Sequence, residues 1–341
     1  MPRQPRLDAP GLLQHVMARG IERRKIFLDD KDRTSFLERF AVILDETQTQ
    51  CYAWALIPNH FHLLLRIGPT PLSKVMRRLM TGYAVTFNKR HKRSGHLFQN
   101  RYKSVVCEEG VYLLELIRYI HLNPLRANLV KNLHELDKYP WTGHRSILGR
   151  GKNPLLPAIK DRKSGVSDQQ QKMPSPRNPC NPCQKMPLAE KTIEDLLLHF
   201  AETKRAATKG YREFVEKGIK QGTREDLQGG GLVRSAGGET AGLLGRKAEE
   251  REKGDARILG SGDFVMQALD RANEVFEKGF KARISLDELA KRVTKDKGVD
   301  SKELISSKRT AKISNTRAII SYLAGMELNN SGKDIANIAS K

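Results

Sequence analysis

Two histidines, His60 and His62, stand one residue apart inside the apolar run ALIPNHFHLLLR, Ala55 to Arg66. Successive side chains of a strand point to opposite faces, so both imidazoles leave one face and Phe61 leaves the other. Separated by roughly 7 Å of strand rise, they bind one metal ion if their rings converge. Otherwise they are an ordinary pair at the edge of a core. Downstream, Tyr119 and Asn123 lie four residues apart in GVYLLELIRYIHLNP, one turn from each other on a single helical face. Asn123 offers a carbonyl oxygen, a hard ligand suited to Mg2+ or Mn2+. Tyr119 offers a phenol, a nucleophile for covalent chemistry. Spacing alone leaves the plainer readings open: a core aromatic for Tyr119 and a helix stop for Asn123.

Other reactive side chains carry weaker signals. Tyr112 precedes Tyr119 by two turns on a similar face and is a rival nucleophile. The segment CNPC (Cys180 and Cys183) has metal-like spacing, but it has no second pair and lies among prolines, which argues against zinc. Cys51 and Cys107 read as buried strand residues.

The elements that must position these groups follow from periodicity. LLQHVMARG (12–20) reads as a strand. DDKDRTSFLERFAVILDET reads as a helix with an acidic start and apolar positions Phe36, Leu37, Phe40, Ile43 and Leu44. CYAWALIP and HFHLLLRIG read as two strands joined by a tight Pro58-Asn59 turn. PLSKVMRRLMTGYAVTFNKRH reads as a second helix opened by Pro71, and YKSVVCE (102–108) as a short strand. The third helix, which carries Tyr119, stops near Asn123 because Pro124 disfavours helical backbone before it. This order describes an α+β domain over 1–150, with a mostly antiparallel sheet of the split βαβ, ferredoxin-like or RRM-like kind. Residues 151–190 are rich in Pro, Lys and Gln and read as a disordered linker. Residues 191–260 read as a partly helical, Gly-rich connecting region, and 261–341 as a small helical domain.

Composition bounds the partner. With 61 Lys+Arg against 39 Asp+Glu, the net charge of +22 favours a polyanion, nucleic acid first. No apolar run of about 18 residues suggests a membrane span, and the basic N-terminus lacks the apolar core of a secretory signal. Four cysteines in 341 residues make no disulfide framework, so a cytoplasmic setting is expected.

The blocks ALIPNHFHLLLR, SGHLFQNRYKSVVCEE, YLLELIRYIHLNPLRANLV and YPWTGHRSILG resemble, in order over about residues 10–150, those of the IS200/IS605-type Y1 tyrosine transposases. The REP-associated branch is the most similar. The resemblance implies an HUH pair at His60 and His62, the catalytic tyrosine at Tyr119 and a third metal ligand at Asn123, with Mg2+ or Mn2+ as cofactor. It implies metal-dependent cleavage and rejoining of single-stranded or hairpin DNA through a 5′-phosphotyrosine. Arg101, Lys103, Arg118 and Arg126 lie in these blocks and are expected to contact the DNA backbone. His96 and His121 are expected to be structural or DNA-adjacent. Family members include monomers and homodimers, so both states stay open. The alternatives are a regulatory DNA-binding protein that keeps the fold without cleavage, and a hydrolytic nuclease in which Tyr119 is structural. The tail, chiefly SNTRAIISYLAGMELNNSGKDIANI, is similar to the C-terminal helix-turn-helix domain of the replication initiator DnaA. It ends at Lys341, near where a recognition helix would begin, so a truncated form is expected.

Overall fold

The computed structural model describes residues 6–156, 186–222, 224, 227, 254–281, 286–300, 303–304 and 310–326. Most of the expected linker, the CNPC segment, the Gly-rich run around 230–245 and the last part of the DnaA-like tail lie outside the described residues.

The first elements run β1 (Leu13–Arg19), α1 (Asp30–Thr47), β2 (Gln50–Ile57), β3 (His60–Arg66), α2 (Leu72–Arg90) and β4 (Lys103–Cys107). They form an antiparallel sheet in the order β2-β3-β1-β4, the ferredoxin-like βαββαβ arrangement. Ile57 pairs directly with His60, so Pro58 and Asn59 are the whole of the β2–β3 turn. Helix α1 begins where the Asp29 carboxylate accepts from the Asp32 amide at 3.0 Å. All five of its expected apolar positions are buried. Pro71 precedes α2, and the Asp8 carboxylate accepts from the Leu72 and Ser73 amides at 2.5 and 2.9 Å, satisfying two of the free N–H groups of that end.

Alternation along each strand splits the core in two. Phe61, Leu63 and Leu65 of β3 face α1 and α2, where Phe61 packs on Phe36 with ring centroids 5.0 Å apart. Leu64 on β3, Leu13 on β1 and Val105 on β4 face the other way, toward α3 (Glu109–His121). The helix breaks at Leu122, and a separate turn, α4 (Asn123–Arg126), restarts with Asn123 as its first residue and Pro124 near its N-terminus. Short turns follow at α5 (Leu133–Leu136) and α6 (His144–Ile147).

The region read as a connecting segment does more than connect. Helices α7 (Leu188–Leu197) and α8 (Lys204–Lys217) insert Leu196, Leu197, Tyr211 and Val215 into the α3 side of the core. Their apolar residues recur at helical spacing, and that face has no other place to be buried. A fifth strand, β5 (Ile258–Leu259), pairs parallel with β4, Val106 opposite Ile258 and Cys107 opposite Leu259. No strand was expected there. Two residues among glycines are too short to show an alternation. Helix α9 (Gly262–Lys281) follows β5 and buries Val265 and Ala268.

Residues up to Ala272 cluster as one compact unit and Asn273–Lys341 as a second. In the second, α10 (Leu286–Lys297) and α11 (Ala311–Met326) pack through Leu289, Val293, Ile320 and Ala324, with Leu304 between them in sequence. Among the described residues no helix is long and apolar enough to cross a membrane.

Candidate active site

The register of β1 against β3 sets Arg19 opposite His60 and Met17 opposite His62, so the four side chains share the face of the sheet that α3 covers. The two imidazoles lie with centroids 5.1 Å apart and planes at 76°. Helix α3 brings the Tyr119 ring to 6.1 Å from His62. One turn on, Asn123 joins them. His60, His62, Tyr119 and Asn123 line one cleft of about 410 Å3, together with Arg19, Arg101 and Lys103. Tyr112 is not among the cleft residues; it is half-buried against the α3 core.

Hydrogen bonds define how the histidines face this cleft. The Asn59 Nδ2 donates to the Arg23 carbonyl, which turns Asn59 Oδ1 toward His60 Nδ1 at 2.7 Å. His60 Nδ1 therefore carries the proton. His62 Nδ1 lies 3.0 Å from Nε2 of His15, a residue of β1. Burial, with a smaller contribution from Arg19, lowers the pKa of His60 to about 4. Burial, then the neighbouring His15, His60 and Arg19, holds His62 well below its ordinary value. Both rings are thus neutral near pH 7 and have a lone pair to offer.

The donor set fits a divalent ion. Among the described residues neither His60 nor His62 uses Nε2 in a protein hydrogen bond. The Asn123 amide keeps a buried Nδ2 with no hydrogen-bond partner, an uncommon condition for a buried polar atom. The amide oxygen of Asn123 is a hard donor of the kind that Mg2+ and Mn2+ take. No group of three His, Cys, Asp or Glu side chains among the described residues has a metal-holding arrangement. Amide oxygens at the cleft come from Asn123, Gln99 and Asn100.

Residues 9–123 match the family model described as "Transposase IS200 like". The likeness to IS200-like transposases thus falls on the part of the chain that carries the cleft. The IS200-like segment runs from the residues before β1 to Asn123, so it contains both histidines, the tyrosine and the asparagine. No curated protein matches the chain. Among solved structures, one described as "Structure of the REP associates tyrosine transposase bound to a REP hairpin" is similar at 17% identity and a TM-score of 0.37. It covers 50% of this chain and 100% of that one.

The cations expected to meet DNA divide between two faces of the IS200-like segment and its continuation. Arg101 and Lys103 are exposed and line the cleft. Arg126 sits over the Tyr119 ring, 5.0 Å from its centroid, and its Nη1 donates to the Tyr119 carbonyl at 3.3 Å. Arg118 departs from the expectation. Its side chain is only 8% exposed and pairs with Glu115 at 2.5 Å. It stacks on Phe214 at 4.3 Å and donates to Gln221 Oε1 at 3.0 Å. The packing is close enough to leave no room for a Cβ at Gly218. One step along a helix turns the side chain by about 100°, so the neighbour of Tyr119 points away from the cleft, into α8. Arg118 is withdrawn from the DNA-contacting set.

His121 is structural, as one of its two expected roles has it. Its Nδ1 and the Nδ1 of His144 each lie 2.8 Å from the Tyr211 hydroxyl, and His144 Nε2 reaches Asp137 at 2.9 Å. His96 is exposed. Sequence reading missed His15, Arg19, Gln99 and Asn100, the last three of which line the cleft. Period-two spacing puts His15, Met17 and Arg19 on one face of β1. That this face is the one beside His60 and His62 follows only from the strand order.

Proposed function

We propose that the chain is a metal-dependent transposase that cuts and rejoins single-stranded DNA at hairpin, REP-like ends through a 5′-phosphotyrosine. The observation that carries this reading is the convergence of Tyr119, His60, His62 and Asn123 on one cleft. His60 and His62 through Nε2, and Asn123 through its amide oxygen, would hold Mg2+ or Mn2+. When bound there, it would supply Lewis-acid polarisation of a non-bridging phosphate oxygen.

Tyr119 supplies the nucleophile. As its oxygen bonds to phosphorus, the bond from phosphorus to the 3′ oxygen breaks, leaving a 5′-phosphate on the tyrosine and a free 3′-hydroxyl. The phosphotyrosine conserves the phosphodiester linkage, so rejoining by the reverse step needs no ATP. A phenol ordinarily titrates near pH ~10 and gives up its proton on attack; the Arg126 guanidinium beside the ring favours the phenolate. Arg19, Arg101 and Lys103 at the cleft provide phosphate contacts that hold the strand in register. The hairpin preference rests on the resemblance of the sequence blocks to the REP-associated branch. The net charge of +22 agrees with a nucleic-acid partner.

The test is incubation of end-labelled single-stranded hairpin DNA with the full chain and Mg2+ or Mn2+, followed by denaturing electrophoresis. A covalent adduct is expected with the wild type, and none with Tyr119→Phe or with EDTA. Cleavage that survives Tyr119→Phe overturns the tyrosine mechanism in favour of a hydrolytic nuclease. Binding without cleavage under either metal overturns it in favour of a regulatory DNA-binding protein.

A further inference from the structure

His62 is one end of a chain of hydrogen bonds that begins far away in sequence. His15 Nδ1 lies 3.2 Å from the main-chain carbonyl of Leu227, 212 positions on, in the segment after the linker. Its other nitrogen, Nε2, lies 3.0 Å from His62 Nδ1, and the two rings stack with centroids 5.3 Å apart and planes at 25°. Both histidines are buried. A carbonyl oxygen can only accept, so the proton of a neutral His15 sits on Nδ1. Its Nε2 is then an acceptor, and His62 must donate from Nδ1. One proton remains to each ring, and the lone pair of His62 is left on Nε2. The directionality is set at one end by a group that cannot titrate or rotate into a donor.

We propose that His15 is a positioning residue for His62: aligned by the Leu227 carbonyl, it fixes the ring and tautomer of His62 so that Nε2 faces the cleft as a metal ligand. The proposal deepens the metal-site reading above and rests on it. His60 is served the same way by a different residue, Asn59, whose amide oxygen accepts from His60 Nδ1 at 2.7 Å. Each histidine of the pair therefore has its own orienting acceptor. Such outer partners set ligand orientation and basicity in metal sites, and their loss lowers metal affinity by roughly 10- to 100-fold. His15 makes ring contact with Tyr119 as well, 6.0 Å between centroids at 76°.

The experiment uses the full chain, labelled with 15N-histidine, in two measurements. Long-range 1H–15N correlation spectra of the metal-free protein are expected to show His15 and His62 each protonated on Nδ1. Calorimetric titration with Mn2+ alone is expected to show His15→Phe binding roughly 10- to 100-fold more weakly than wild type, with His62 no longer confined to the Nδ1–H tautomer. His15→Gln, whose Oε1 can still accept from His62 Nδ1, is expected to recover most of that affinity. Wild type with His62 protonated on Nε2 overturns the proposal without any variant. So does a folded His15→Phe protein with unchanged Mn2+ affinity and an unchanged His62 tautomer. A wild-type protein that shows the expected tautomers but binds no Mn2+ overturns the metal-site reading instead.

Discussion

The guanidinium of Arg126 lies 5.0 Å from the centre of the Tyr119 ring and donates to that residue's own carbonyl. One side chain thus holds both the backbone and the ring of the proposed nucleophile. Arg126→Ala removes a cation from the ring face, an interaction worth about 0.5–2 kcal/mol. Adduct formation at neutral pH is expected to slow about tenfold, and the pH profile of the rate to move toward higher pH, because the phenolate loses a cation beside its ring. Initial rates of adduct formation across a pH series check both.

Arg118 and Arg101 are expected to behave as opposites. Arg118→Ala deletes a buried guanidinium bound to Glu115, Gln221 and the Phe214 ring. Denaturant unfolding should show a loss of roughly 1–3 kcal/mol, with DNA affinity per folded molecule unchanged. Arg101→Ala should leave unfolding unaltered, weaken hairpin binding and reduce the salt slope of log affinity by about one phosphate contact. Equal effects on binding from the two variants contradict this assignment.

Acid should unfold the protein in a window set by its buried imidazoles. Burial takes His15 and His60 down to about 4, and His62 and His121 well below their ordinary value. Burial also lowers His144, against the opposing pull of Asp137. In the unfolded chain these rings take up protons as pH falls through about 6.5, whereas the folded chain binds them only near 4 or lower. Stability is therefore full above pH ~6.5 and falls steadily between ~6.5 and ~4. For His15, fully buried, the lowering to about 4 corresponds to roughly 3 kcal/mol. Thermal midpoints recorded from pH 8 to pH 4 in metal-free buffer are expected to drop below pH 6.5; a flat profile would be incompatible with neutral buried rings.

Tyr211→Phe tests how α8 is fastened. The hydroxyl is shared by His121 on α3 and His144 on α6, and all three side chains are fully buried. Removing it strands two imidazole nitrogens away from water, at about 1–3 kcal/mol each. Hydrogen exchange should accelerate most in Lys204–Lys217 and Glu109–His121, while the α1 and α2 amides keep their protection.

Much of the cleft was legible because strand and helix periods are local. The alternation in HFHLLLR puts His60 and His62 together, and the spacing of Phe36, Leu37, Phe40, Ile43 and Leu44 gives α1 its buried face. The turn at Pro58-Asn59 was readable for the same reason. What escaped depends on contacts between distant segments. His15 gains its role from the order of strands and from a carbonyl 212 residues away. β5 is a strand only because the β4 edge is open to pair with it. Arg118, expected at the DNA because it lies in the matched blocks, has a buried side chain instead. Its environment is supplied by α8, which no local pattern assigns to α3.

The Glu108 carboxylate accepts from the Ser261 amide at 2.8 Å, joining positions 153 residues apart beside the β4–β5 pairing. A ribosome adding 5–20 residues per second leaves an interval of roughly 8–30 s between the two. During that interval the IS200-like segment is already made, but the helices and the strand that cover the α3 side of its sheet are not. The outer face of α3 then lacks Leu196, Leu197, Tyr211 and Val215, and His15 waits for Leu227. The candidate cleft of this chain is in that sense assembled late in translation, when the polypeptide that packs on α3 has been delivered.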